Sequence, residues 1–118
     1  MKMIKVVYNA CYGGFGLSNE AKDRMVELGY EMELNPSYDP RPGVDWYNRT
    51  QKYKTYDGDI PRHNPILVQV VEELGEKAGD ECANLAIEEV YGPYRITEYD
   101  GYETVETPDG CNWINPYE

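Results

Sequence analysis

The sequence predicts a small α+β domain with two helices packed on one face of a small, mainly antiparallel sheet. Three observations carry this: a β-rich run near the start that ends in a glycine cluster, two capped segments with apolar residues at helical spacing, and two alternating runs around an Asp-Gly dipeptide. The 118 residues fall within the range of one domain, so residues 1–118 are read as a single unit.

The run Met3 to Ala10 carries Ile4, Val6, Val7 and Tyr8 and reads as a buried strand at the centre of the sheet. After Tyr12-Gly13-Gly14-Phe15-Gly16, Ser18 suits an N-cap, and Leu17, Ala21, Met25 and Leu28 recur at helical spacing until Gly29 supplies a stop. Tyr30 to Leu34 alternates as a strand does. Pro36, Pro40, Pro42, Gly43, Gly58 and Pro61 then break regular structure, and residues 41–61 form a long basic and aromatic loop of the kind that is functional or mobile. The second helix opens at Asn64 and Pro65, buries a stripe of Leu67, Val70, Val71, Leu74 and Ala78, and is expected to end near Gly79. Leu85 to Val90 reads as a strand. Tyr94 to Tyr99 and Tyr102 to Thr107 flank Asp100-Gly101 as a hairpin. Residues 108–118, with Cys111, Trp113 and Pro116, read as an irregular tail.

The formal net charge of −11 is unevenly placed: residues 61–118 hold 3 Lys/Arg against 13 Asp/Glu and so carry −10 of it. That field repels duplex nucleic acid and anionic membrane and steers toward basic partners, although it also serves solubility. No apolar run approaches the roughly 20 residues of a membrane span, and the start lacks a signal-peptide core, so a cytosolic protein is expected. Cys11, Cys82 and Cys111 are far apart and in no CxxC arrangement, which argues against a disulfide framework and a zinc site. Neither a metal nor a cofactor is expected. The 12 Tyr against one Phe place hydroxyl-bearing aromatics where half-buried surfaces and interfaces want them.

Four strings occur in order: Val7-Tyr8-Asn9-Ala10-Cys11-Tyr12-Gly13-Gly14-Phe15-Gly16-Leu17-Ser18, Ile60-Pro61-Arg62-His63-Asn64-Pro65, Val70-Val71-Glu72-Glu73-Leu74-Gly75 and Glu98-Tyr99-Asp100-Gly101. Together they span most of the chain and resemble a family of small uncharacterised proteins encoded by tailed phages and large DNA viruses. The resemblance implies a phage-encoded protein acting in the cytoplasm of an infected host, and by analogy a host-takeover or counter-defence factor. The chain departs from the family pattern in an enlarged basic and aromatic stretch at 41–56 and in its end at 107–118.

Three groups of residues are candidates for function. The glycine loop lies between a strand and a helix N-terminus, where backbone N–H groups favour an anion; Asn9, Tyr12, Gly13, Gly14, Phe15 and Ser18 would form the site and Arg62 would add positive charge. Equally, the glycines make a tight turn that plugs Phe15 and Leu17 into the core, and Arg62 clamps a carboxylate inside the protein. Neither P-loop nor GxGxxG spacing is present. The loop interleaves Arg41, Arg49, Lys52 and Lys54 with Trp46, Tyr47, Tyr53 and Tyr56, a composition that suits a nucleotide or single strand, a protein partner, or a cover for the sheet. Glu98, Asp100 and Glu103 fall on the acidic hairpin, which presents a carboxylate row to a DNA-binding protein or is simply a solvated sheet face. No catalytic residue is assigned, because His63, the sole histidine, has no nucleophile or metal partner at useful spacing.

The expectation is therefore a non-catalytic interaction protein that engages a host or defence protein through Trp46, Tyr47, Arg49, Tyr53, Glu98, Asp100 and Glu103. The alternative is a nucleotide-binding protein that sequesters or turns over a signalling nucleotide at the glycine loop.

Overall fold

Antiparallel pairing and two amphipathic helices give the α+β class that the sequence predicts, but the single expected sheet is divided into two. The structure, a computed structural model, describes residues 3–108, so the tail beyond Pro108 lies outside the described residues. In chain order the elements are β1 (Met3–Asn9), α1 (Asn19–Glu27), α2 (Trp46–Thr50), α3 (Pro65–Leu74), β2 (Leu85–Tyr91), β3 (Arg95–Tyr99) and β4 (Tyr102–Glu106). β1 pairs antiparallel with β2, and β3 pairs antiparallel with β4.

β1 is covered on both faces, because its neighbours Val6 and Val7 point to opposite sides and both are fully buried. On the Val7 side, Leu85 and Ile87 of β2 meet α3 through Leu67 and Val70, and α1 adds Ala21 and Met25. On the Val6 side, Ile4, Tyr8 and Val90 meet the hairpin through Tyr94, Ile96 and Val105. The hairpin thus packs against β1 without joining its ladder. The cause is local: the outward N–H of Val7 donates to the Arg62 carbonyl at 2.8 Å and that of Asn9 to Glu103 Oε1 at 2.8 Å. With those donors taken, β1 has no open edge there for β4 to extend.

The caps read from the sequence are the ones formed. Ser18 Oγ accepts the Ala21 N–H at the start of α1, and Gly29 follows its end with φ 104°. Asn64 Oδ1 accepts from both the Ile66 and Leu67 N–H, ahead of Pro65 in the first turn of α3. The stop of α3 is a correction: the helix ends at Leu74, where Gly75 takes φ 57°, and Gly75–Ala78 tightens into a three-ten turn. Gly79 instead forms a lone bridge with Leu17. Tyr30 to Leu34 does not form a strand either; it meets residues 52–55 through the lone bridge of Leu34 with Tyr53, the Glu33 N–H donating to Thr55 Oγ1 at 2.8 Å, and the Lys54–Glu33 ion pair, and Pro36 ends any extension.

At the tip of the β3–β4 hairpin Asp100 has φ 51° and Gly101 φ 86°, the two positive values that a two-residue hairpin turn of this twist demands. The turn lies on the glycine loop so closely that a Cβ on Gly101 would collide with the backbone nitrogens of Gly13 and Gly14. Gly101→Ala is therefore expected to destabilise the fold by roughly 1–3 kcal/mol, more than the backbone preference alone would produce at an open turn. Urea unfolding checks this, and an unchanged midpoint would show that the turn does not dock on the loop.

Candidate functional site

The residues singled out in the glycine loop meet at one buried joint. The Arg62 guanidinium bonds Glu103 in a two-pronged pair, Nη1 to Oε1 at 2.5 Å and Nη2 to Oε2 at 2.9 Å, and lies 3.5 Å over the Phe15 ring. Asn9, fully buried, donates from Nδ2 to the carbonyls of Cys11 and Gly101, both at 2.7 Å, and accepts the Asn84 N–H at 2.9 Å. Among the described residues no buried side-chain nitrogen or oxygen is left without a partner. Arg62 is thus the internal carboxylate clamp of the two roles the sequence left open, and Glu103, at 4% exposure, is withdrawn from the interaction surface.

Some of the loop's backbone donors are taken in the same way. Gly13 N–H donates to the Asp100 carbonyl at 3.1 Å, and Leu17 N–H donates to Asp57 Oδ2 at 2.9 Å. Ser18 uses its oxygen on the Ala21 N–H and its hydroxyl proton on the Lys77 carbonyl at 2.6 Å. An anion expected at Asn9, Tyr12, Gly13, Gly14, Phe15, Ser18 and Arg62 would therefore compete at Asn9, Gly13, Ser18 and Arg62 with groups that the protein itself supplies. Of that group Tyr12 and Gly13 are exposed, and the Tyr12 ring, 63% exposed, lies at a tilt 5.4 Å from Tyr102.

The long loop is ordered by the polar flank of α1, which the sequence did not mark. Lys22 is buried at 2% exposure and pairs with Asp57 at 2.9 Å, with Gln51 Oε1 at 3.4 Å. Asn19 Nδ2 donates to the Thr50 carbonyl at 2.8 Å, and Asp23 accepts from Tyr53 at 2.6 Å and Lys52 at 2.8 Å. Tyr53 is consequently buried and is a second correction to the predicted surface. Within the loop, Asp45 caps α2 through the Asn48 N–H, a signal present in the sequence as Asp45 directly before Trp46.

α2 leaves Trp46 and Tyr47 60% and 48% exposed, with Arg49 exposed beside them. Trp46 borders a cleft of about 450 Å³ that reaches across to Asp80, Glu81 and Cys82. Tyr47 borders a second hollow of about 250 Å³ with Phe15 and Tyr56. Glu98 and Asp100 are exposed on the hairpin near Tyr99, whereas the register places Glu98 opposite the buried Glu103. His63 is tied by Nδ1 to the Tyr94 hydroxyl at 2.6 Å, which links the approach to α3 with the hairpin. Among the described residues no three His, Cys, Asp or Glu side chains are placed to hold a metal ion, and no helix is long and apolar enough to cross a membrane.

Burial, with the Asp23 carboxylate alongside, pushes the Tyr53 hydroxyl up to about 12. Burial opposes ionisation of Asp23, yet Lys52 and Tyr53 outweigh it and hold its carboxyl below the usual range. The signs give opposite limits. Stability from Asp23 is complete above the unfolded value of about 3.9 and is lost as pH falls through its folded value; that from Tyr53 is complete below about 10 and is lost as pH rises through about 12. In carbon-13-labelled tyrosine spectra the Tyr53 ring should titrate near 12 and move downward in Asp23→Asn. Titration of Tyr53 near 10 would mean that the ring is neither buried nor bonded to Asp23.

The buried joint makes a separate forecast. Arg62→Met should cost about 3–5 kcal/mol by leaving Glu103 unpaired, while Arg62→Met with Glu103→Gln should recover a large part, since the amide oxygen still accepts from Asn9. Equal losses in the single and double variants, measured by chemical denaturation, would contradict a buried pair. The chain matches no protein-family model, no curated protein and no solved structure.

Proposed function

We propose that the protein is a non-catalytic interaction protein that binds and modulates a host or defence component in the cytoplasm of an infected cell. The observation that carries this reading is the display of Trp46, Tyr47 and Arg49 on one capped five-residue helix, with both aromatics exposed outside the hydrophobic core. Trp, Tyr and Arg are the residues that dominate interface energetics, and a large exposed aromatic pair held by a capped helix binds with little ordering cost. Anchoring of that helix by Asn19 at the Thr50 carbonyl, and of its C-cap Gln51 by buried Lys22, supports a preformed surface.

The partner is expected to be basic. The net charge of −11 speeds encounter with a positive surface, and Glu98 and Asp100 add carboxylates beside Tyr99 at the hairpin tip. The phage origin rests on the resemblance in the sequence, and the acidic, aromatic surface suits a factor that occupies a nucleic-acid-facing site on its target.

Affinity capture from infected and uninfected host lysates tests this. A stoichiometric protein should be retained by the unaltered chain, lost with Trp46→Ala and Tyr47→Ala together, and weakened by Glu98→Lys with Asp100→Lys. Retention by all variants would remove these surfaces from the reading. A panel of mono-, di- and cyclic nucleotides should leave the melting temperature unchanged; stabilisation near the 2.7 kcal/mol expected at about 100 times Kd would restore the nucleotide alternative.

A further inference from the structure

We propose that the cleft between α2 and the Gly79–Cys82 turn takes an arginine side chain of that basic partner; the inference rests on the interaction reading above and names its contact. The cleft, about 450 Å³, is within the size range of small ligand sites and has Leu17 and Trp46 as apolar walls. Asp80 and Glu81 line the same space as the indole, and among the described residues no lysine or arginine lines it. An indole and carboxylates lining one cleft suit a planar cation: the guanidinium stacks on the ring while its edge donates to the acids.

The backbone of both walls is anchored within the chain. The indole side is held by the Asp45 cap and by Asn19 at the Thr50 carbonyl. Opposite it, Asp80 N–H donates to the Gly16 carbonyl at 3.2 Å, and Asp80 Oδ1 accepts the Cys82 N–H at 2.9 Å. Glu81 is the exposed carboxylate next to this anchored residue. An anionic occupant at the nearby start of α1 is disfavoured, since Ser18 already caps the Ala21 N–H and the cleft carries two carboxylates of its own. Lysine is the weaker fit because its compact, strongly hydrated ammonium neither stacks nor bonds in two places at once.

Calorimetry on the full chain at about 0.15 M salt, with a blocked octapeptide alternating arginine and glycine, tests the proposal. Its lysine and glutamate counterparts serve as comparisons. The arginine peptide should bind; Trp46→Ala and Glu81→Lys should each weaken it about tenfold or more, Trp46→Phe should retain part of the affinity, and the lysine peptide should bind more weakly. Equal affinity for all variants, or for lysine and arginine peptides, would overturn the cleft as an arginine site and leave only the general attraction of an acidic chain. Failure of the cleft and failure of the interaction reading are separable. A lysate partner that still depends on Trp46 and Tyr47 when the peptide ignores Glu81→Lys would sink the former alone.

Discussion

The carboxylate of Glu103 is the point on which the architecture turns. It is supplied by β4, neutralised by Arg62 ahead of α3, and hydrogen-bonded by the N–H of Asn9 at the end of β1. Three segments distant in sequence are thereby joined at one group. The consequence for the sheet is direct: the Arg62 carbonyl takes the Val7 N–H while its side chain brings Glu103 to Asn9, so a single residue closes the outer edge of β1 twice. A buried ion pair is a poor source of net stability compared with apolar packing, but an unpartnered member is severely unfavourable. An arrangement that separates Glu103 from Arg62, such as β4 sliding into the ladder beside β1, would carry that penalty.

A second polar joint governs the long loop. α1 buries Ala21 and Met25 toward α3, and turns Asn19, Lys22 and Asp23 toward residues 50–57. This explains how a chain of mean hydropathy −0.73 keeps an extended stretch in place with little regular structure. Its backbone groups are satisfied by side chains of a neighbouring helix, which allows α2 to hold its aromatics outward.

What was legible in the sequence was what neighbouring residues decide. The Ser18 and Asn64 caps, the glycine after α1 and the Asp100-Gly101 turn each depend on a few consecutive residues and read correctly. Glu103 and Tyr53 did not, because alternation and composition describe a strand or loop and say nothing of which distant side chain covers it. Lys22 was hidden for the same reason: a lysine on the polar flank of a helix reads as solvated until Asp57 arrives from 35 positions away to bury it. The glycine loop is the instructive middle case. Its conformation was foreseeable, but whether its donors met a ligand or the protein's own carbonyl and carboxylate groups depended on Asp57, Asp100 and Glu103.

These internal pairings also decide what the surface offers. Among the described residues, Lys5, Lys22, Arg24, Arg41, Lys52, Lys54, Arg62 and Arg95 each meet a carboxylate within the chain. Arg49 and Lys77 are the ones left outside this set, and Arg49 belongs to the same short helix as Trp46 and Tyr47. Pairing removes positive charge from the exterior field while the acidic excess stays, so attraction at long range is selective for cations even though basic residues are not rare in the sequence. At short range the exposed indole and phenol supply the contact area that charge alone lacks. Under the proposed interaction reading, a partner that satisfies both would bring positive charge together with a surface flat or pocketed enough to accept α2.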